Sequence, residues 1–321
     1  MNDQVVAGID IGGTKIAVAL QTHEGERAAS RRLPTEIALG PVRILENISL
    51  AIEEMLAETS TTLAAVGIGC PGPIDIQNGL VMSPVNLPGW DRFPIVELVE
   101  NRFGVPVILD NDANAAAFGE YFHGAGREFQ DMLYVTISTG IGGAIICGGQ
   151  IHHGVQAGAG EIGHMIVEMD GIQCRCGTFG CLETIASGTG IARRMREMLA
   201  SQNGGNAENY RHITSEKVVE AVEHNDETAR RIWNETIKYL AIGIGNAITL
   251  VAPEAVVIGG GVSAAGELLL EPLRREIHKN VTMLPIEKVE ILKASLGSES
   301  GVCGALMMAQ GIYEKTRENV S

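Results

Sequence analysis

Ile9-Asp10-Ile11-Gly12-Gly13-Thr14 and, in the second half of the chain, Ile137-Ser138-Thr139-Gly140-Ile141-Gly142-Gly143 are the two stretches that decide the fold. Each glycine group lies between two short apolar runs of β character. Val5–Asp10 and Ile16–Leu20 flank the first, Met132–Ser138 and Ala144–Cys147 the second. Two such runs around a glycine-rich turn predict a hairpin. One hairpin per half predicts two similar domains facing a shared cleft.

Outward from these hairpins the chain alternates between strand and helix patterns. Val42–Leu56 places Ile44, Ile48, Ala51, Ile52 and Met55 at helical spacing, while Ala64–Gly69 reads as a buried strand ending in Pro71-Gly72-Pro73. Phe93–Phe103 is an amphipathic helix stopped by Gly104, Val105–Leu109 is a strand, and Asp112 opens an alanine-rich helix. Later helices are expected over Glu183–Ala200, Ser215–His224 and Asp226–Val251. A strand at Ala255–Ile258 runs into Gly259-Gly260-Gly261, and a last strand at Val289–Ala294 precedes a closing helix over Gly301–Tyr313. This alternation predicts an α/β architecture. The Gly/Asn-rich stretch 201–212 reads as a flexible surface loop.

Composition excludes several classes. A chain of 321 residues is long enough for two domains with substantial cores. A net charge of −15 argues against nucleic-acid binding. The N-terminus has no signal-like segment, and the longest apolar stretch, Tyr239–Ala252, is too short to span a bilayer. A cytoplasmic, non-membrane protein is expected. Of six cysteines, Cys70, Cys147 and Cys303 are scattered in apolar segments and read as buried thiols.

The other three carry chemistry. His164, Cys174, Cys176 and Cys181 fall within one loop-sized segment, the donor set of a closed tetrahedral Cys3His zinc site. With no open coordination position, such a zinc is structural. Glu161 and Glu183 bracket it, so the metal would shape both flanks. The turn from Asp10 through Gly12, Gly13, Thr14 and Lys15 brings small residues where backbone N–H groups can meet an anion. It has neither Walker A nor GxGxxG spacing. Taken with Thr139-Gly140 and Gly259-Gly260-Gly261, it forms a three-loop nucleotide cradle. Asn111-Asp112 joins a strand to a helix. Such a carboxylate can serve only as a helix cap, but it also lies at the carboxyl end of a strand, where ligands of α/β folds sit.

The chain resembles the ROK family of sugar kinases and repressors. Asp10-Ile-Gly-Gly-Thr14, Asn111-Asp112-Ala-Asn114, Gly160-Glu161-Ile-Gly-His164 and Cys174-x-Cys176-x4-Cys181-x-Glu183 carry the resemblance, which covers essentially the whole chain. Within the family, Pro71-Gly72-Pro73, Asn86-Leu87 and Glu183-Thr-Ile-Ala-Ser are most similar to bacterial glucokinases of the Bacillus type. The resemblance implies an actin-like (ribonuclease H-like) fold of two α/β domains, expected at 1–112, completed by the helix at 301–321, and at 113–300. It implies ATP-dependent phosphoryl transfer to the 6-hydroxyl of glucose, with Asp112 as the general base. It implies a sugar site at Gly72, Asn86, Asn111, Asp112, Glu161, His164 and Glu183. One ring nitrogen of His164 would take zinc while the other faces a sugar hydroxyl. Asp10 would partner Mg²⁺ and the transferring phosphate, and Thr14 and Thr139 with their neighbouring amides would bind phosphate oxygens. Lys15 would either neutralise phosphate or lie in solvent. A homodimer or homotetramer is expected. Alternatives within the family are another sugar (N-acetylmannosamine, N-acetylglucosamine, mannose or fructose), polyphosphate as donor, or a sugar-responsive transcriptional regulator. The last normally needs an N-terminal helix-turn-helix, for which Asp10 lies too near Met1.

Overall fold

The computed structural model describes residues 4–203 and 205–318. It divides the chain into two compact units, the first formed by residues up to Arg127, Ile151–Ala159 and the residues from Ser298 on, the second by Glu128–Gln150 and Gly160–Gly297.

The first unit is built on strands β1 (Gln4–Ile11), β2 (Lys15–Thr22), β3 (Arg27–Pro34) and β4 (Thr62–Cys70). A two-stranded ribbon, β5 (Ile74–Asp75) and β6 (Leu80–Val81), precedes β7 (Val107–Asn111). The main sheet has the order β3-β2-β1-β4-β7. β1, β2 and β3 form an antiparallel meander, and β4 and β7 run parallel to β1. Helix α1 (Gly40–Thr59) buries Ile44, Ile48, Ala51, Ile52 and Met55, the side chains whose spacing predicts it. Helix α2 (Ile95–Phe103) starts with Pro94 as its N-cap, two residues after the expected Phe93, because proline suits the helix entry and not its interior.

Helix α3 (Asp112–His123) follows β7 and packs against the closing helix Ser300–Glu318. That contact moves the expected boundary at 112 to Arg127, since α3 shares its core (Ala115, Ala305, Met308) with the first unit. The expected end of the closing helix, residues 319–321, lies outside the described residues. Small residues let the layers approach closely. A Cβ on Gly304 would stand 1.6 Å from the Ala115 carbonyl oxygen, and one on Gly67 would stand 2.0 Å from the Ala305 oxygen. Backbone cannot yield there as a flexible side chain would. Gly304→Ala is therefore expected to destabilise the fold by about 2 kcal/mol or more, measured by urea unfolding. A change within about 0.5 kcal/mol, the usual range of a surface substitution, would contradict the packing argument.

The second unit repeats the plan. β8 (Met132–Ile137) and β9 (Ile141–Cys147) form the second glycine-turn hairpin, and β10 (Gln150–Ile151) is a short edge strand. Helices α4 (Leu182–Ala186), α5 (Gly188–Asn203), α6 (Ser215–Glu223) and α7 (Glu227–Val251) lead to β11 (Ala255–Gly259), α8 (Glu267–Asn280) and β12 (Glu290–Lys293). The sheet order is β10-β9-β8-β11-β12, with β8, β11 and β12 parallel. Its core gathers Leu133, Val135, Ile191, Trp233, Leu240, Ile244 and Leu273. The helix expected over Glu183–Ala200 is two helices, because Ser187 takes an extended backbone (φ −71°, ψ 166°) between them. The expected loop at 201–212 is shorter, since α5 runs to Asn203 and a 3₁₀ turn occupies Ala207–Tyr210; residue 204 lies outside the described residues. Among the described residues no helix is long and apolar enough to cross a membrane. Each unit thus joins an antiparallel hairpin to parallel strands in the same order, the actin-like arrangement.

Candidate active site

In the first unit, three neighbouring parallel strands end together. Asp10 near the end of β1 is in register with Gly69 of β4, and Asn111 at the end of β7 with Cys70 of β4. Asn111 caps α3 by accepting the Ala113 N–H at 2.8 Å, which places Asp112 in the first helical turn. The Asp112 carboxylate also accepts that N–H, at 2.9 Å. Burial first, then the charge of Asp112, push the Asp10 carboxyl up to about 7; Lys15 works against the rise and Glu299 adds to it. The closing helix meets Asp10 with a glycine, since a Cβ on Gly301 would lie 2.5 Å from the Asp10 carboxyl carbon.

The expected turn is braced rather than loose. Gly12 N–H donates to the Lys15 oxygen at 3.0 Å, Thr35 Oγ1 donates to the Gly12 oxygen at 2.6 Å, and Thr35 N–H donates to the Thr14 oxygen at 2.9 Å. Thr14 and Lys15 are exposed. A Cβ on Gly13 would meet Asn86 at 3.2 Å, and one on Gly72 would meet Nδ2 of Asn111 at 3.2 Å. Asp10, Gly12, Gly13, Thr14, Lys15, Gly72, Asn86, Asn111 and Asp112 therefore belong to one unit, most of them at or beside the carboxyl ends of its strands.

A pair at this edge escapes the sequence reading. Asp110, 4 % exposed, accepts from the Asn111 N–H at 2.7 Å, Asn114 Nδ2 at 2.8 Å and His153 Nε2 at 2.7 Å. The hydrogen bond to Asp110 raises the His153 pKa above its ordinary value, and partial burial only offsets this. A raised histidine stabilises the fold fully below its unfolded pKa, about 6.5, and loses that contribution as pH rises through the folded value. His153→Ala is expected to cost stability at pH 5.5, and the deficit should shrink by pH 9. The effect should stay below about 1 kcal/mol because the His153 side chain is 42 % exposed. Urea titrations at the two pH values measure it; a deficit that grows with pH would contradict the pairing.

The second unit holds the metal candidates. His164 Nδ1 lies 3.6 Å from Cys174 Sγ, Cys176 Sγ lies 3.6 Å from Cys181 Sγ, and all four donor atoms lie within 4.8 Å of one another. A tetrahedral zinc with bonds of about 2.0–2.3 Å sets its donors about 3.5–3.8 Å apart, so these residues fit the ion. The knuckle is anchored by Tyr239 OH, which donates to Glu168 Oε1 at 2.7 Å. With Nδ1 of His164 on the metal side, Nε2 is directed to the Glu161 side, 3.9 Å from its Oε2. Glu183, two residues beyond Cys181, accepts the Ile141 N–H at 2.9 Å. Gly260 has φ +83° and packs on the end of β8, where its Cβ would lie 2.3 Å from the Ile137 oxygen. The Gly259–Gly261 and Thr139–Ile141 loops thus leave the carboxyl ends of the adjacent strands β11 and β8. Glu161, His164, Glu183, Thr139, Gly140 and the glycine triplet all belong to this unit.

Duplicated hairpin-and-parallel-strand units, with polar groups at their strand ends, define an actin-like two-domain protein. The profile of the ROK family matches residues 6–312, and the chain belongs to that family. It is 38% identical over 327 residues to a glucokinase of Halalkalibacterium halodurans, covering 99% of this chain and 97% of that one. Among solved structures it is similar to a ROK hexokinase from Thermus thermophilus (TM-score 0.81, 32% identity, 98% and 99% of the two chains). It is also similar to a ROK glucokinase from Streptomyces griseus in complex with glucose and AMPPNP (TM-score 0.77, 33% identity, 96% and 99%).

Proposed function

We propose that this chain is a glucokinase that transfers the γ-phosphoryl group of ATP to the 6-hydroxyl of glucose. The observation that carries the reading is Asp112 in the first turn of α3, beside a second carboxylate, Asp10, that its charge helps to raise. Phosphoryl transfer asks for alignment and charge neutralisation more than covalent help. Asp112 accepts the proton of the attacking hydroxyl. Asn86, Asn111, Glu161, His164 and Glu183 offer amide, imidazole and carboxylate partners to a polyol. Thr14, Lys15 and the amides of the Gly12-Gly13, Thr139-Gly140 and Gly259–Gly261 loops hold phosphate oxygens.

Asp10 is the residue to hold Mg²⁺, whose charge would neutralise the phosphates and favour the ionised Asp10 carboxylate. His164, Cys174, Cys176 and Cys181 hold a structural zinc that stiffens the polypeptide between Glu161 and Glu183. The protein is taken to work in the cytoplasm as a homodimer or homotetramer.

The test is a panel of sugars with ATP or polyphosphate as donor, followed by coupled detection of ADP and of sugar phosphate. Glucose with ATP should give the highest kcat/KM. Preference for N-acetylmannosamine, N-acetylglucosamine, mannose or fructose would keep the kinase and change the substrate. No turnover with any sugar would refute the reading.

A further inference from the structure

Between the zinc knuckle and the second glycine turn, hydrogen bonds link α4 and its junction with α5 to residues 138–141, among them one from the Thr189 N–H to the Thr139 oxygen at 3.4 Å. Glu183 Oε2 accepts the Ile141 N–H at 2.9 Å, Gly188 N–H donates to the Ser138 oxygen at 2.7 Å, and Thr189 Oγ1 donates to the Thr139 oxygen at 2.8 Å. The junction is held in turn by Ser187, whose Oγ accepts the Gly190 N–H at 3.1 Å and lies 3.0 Å from Thr189 Oγ1. Steric fit agrees with the bonding, because a Cβ on Gly140 would lie 2.3 Å from Glu183 Oε2. The extended backbone at Ser187, which breaks the expected long helix, turns the first residues of α5 toward this loop. Ser138 and Thr139 have their carbonyls fixed from outside the turn. The Thr139 and Gly140 N–H groups, for which no acceptor is found among the described residues, are the donors that the phosphotransfer reading assigns to a bound anion.

We propose that Glu183 and Thr189 are positioning residues for nucleotide phosphate, acting through the Thr139–Ile141 turn, so that Glu183 serves the nucleotide as well as the sugar. The inference rests on the phosphotransfer reading above. A turn whose carbonyls are pinned presents its amides in one arrangement, and a preorganised donor set binds an anion without an ordering cost. Removing one neutral hydrogen bond removes part of that order.

The experiment is calorimetric titration of AMPPNP with Mg²⁺ and no sugar, on zinc-loaded protein, paired with steady-state kinetics. Thr189→Val should weaken AMPPNP binding about two- to tenfold and raise the KM for ATP by a similar factor, with the KM for sugar unchanged within twofold. Thr189→Ser, which keeps the hydroxyl, should restore both. Glu183→Gln, which keeps an acceptor for Ile141, should bind AMPPNP better than Glu183→Ala; omitting sugar keeps the sugar contact out of this comparison. Equal AMPPNP affinity in wild type and Thr189→Val, or a shift confined to the KM for sugar, overturns the inference and leaves the kinase reading intact. Wild-type protein that binds no nucleotide overturns both.

Discussion

Asp112→Asn is expected to lower kcat by about 10²–10⁴-fold, the usual contribution of a general base, while sugar affinity changes less than about threefold. The substitution is nearly isosteric. An asparagine oxygen can still accept the Ala113 N–H that Asp112 now accepts at 2.9 Å, so the start of α3 should survive. What is lost is a proton acceptor and one negative charge. The charge has a second reader: Asp112 is the largest charged contributor to the raised Asp10 pKa, so Asp10 should ionise more readily in the variant. A kcat that falls while the KM for sugar holds separates chemistry from binding. Near-wild-type turnover would remove Asp112 from the mechanism.

Loss of zinc is the other large effect. Cys174→Ser or Cys176→Ser should release the metal, seen by mass spectrometry of the native protein. Sugar affinity measured by calorimetry should then fall about 10–100-fold. The physical route is short. His164 is itself one of the four donors and faces Glu161 at 3.9 Å, while Cys181 directly precedes the helix that carries Glu183. Nucleotide affinity should fall less, because the turn keeps its bonds to Gly188 and Thr189 when the knuckle loosens. Zinc-free protein that binds glucose normally would defeat this account.

Much of this was legible in the sequence, and what was hidden has identifiable causes. The two hairpins show because β1, β2, β8 and β9 are mostly apolar runs set on either side of a glycine-rich turn. The Cys3His set shows because its four members lie within eighteen residues, from His164 to Cys181. β3 is hidden: Arg-Ala-Ala-Ser-Arg-Arg-Leu-Pro is an edge strand with no fully buried residue, held by its backbone pairing with β2. α8 carries Pro272 in its interior, which reads as a break. The split between α4 and α5 is a single extended residue in a Ser-Gly-Thr-Gly run that helix periodicity does not register. Long-range contacts are the least legible. Asp110 and His153 are 43 positions apart, and each alone looks unremarkable; the Gly301 that abuts Asp10 comes from the other end of the chain. The assignment of α3 is hidden for the same reason, since only its packing on the closing helix places it in the first unit.

The most direct measurement is a crystal structure of the zinc-loaded protein with glucose and AMPPNP. The expected result is the glucose 6-hydroxyl within about 2.6–3.2 Å of the Asp112 carboxylate, with Glu161 and His164 on other hydroxyls. Glucose bound away from Asp112, in protein that still turns over, would contradict the central claim.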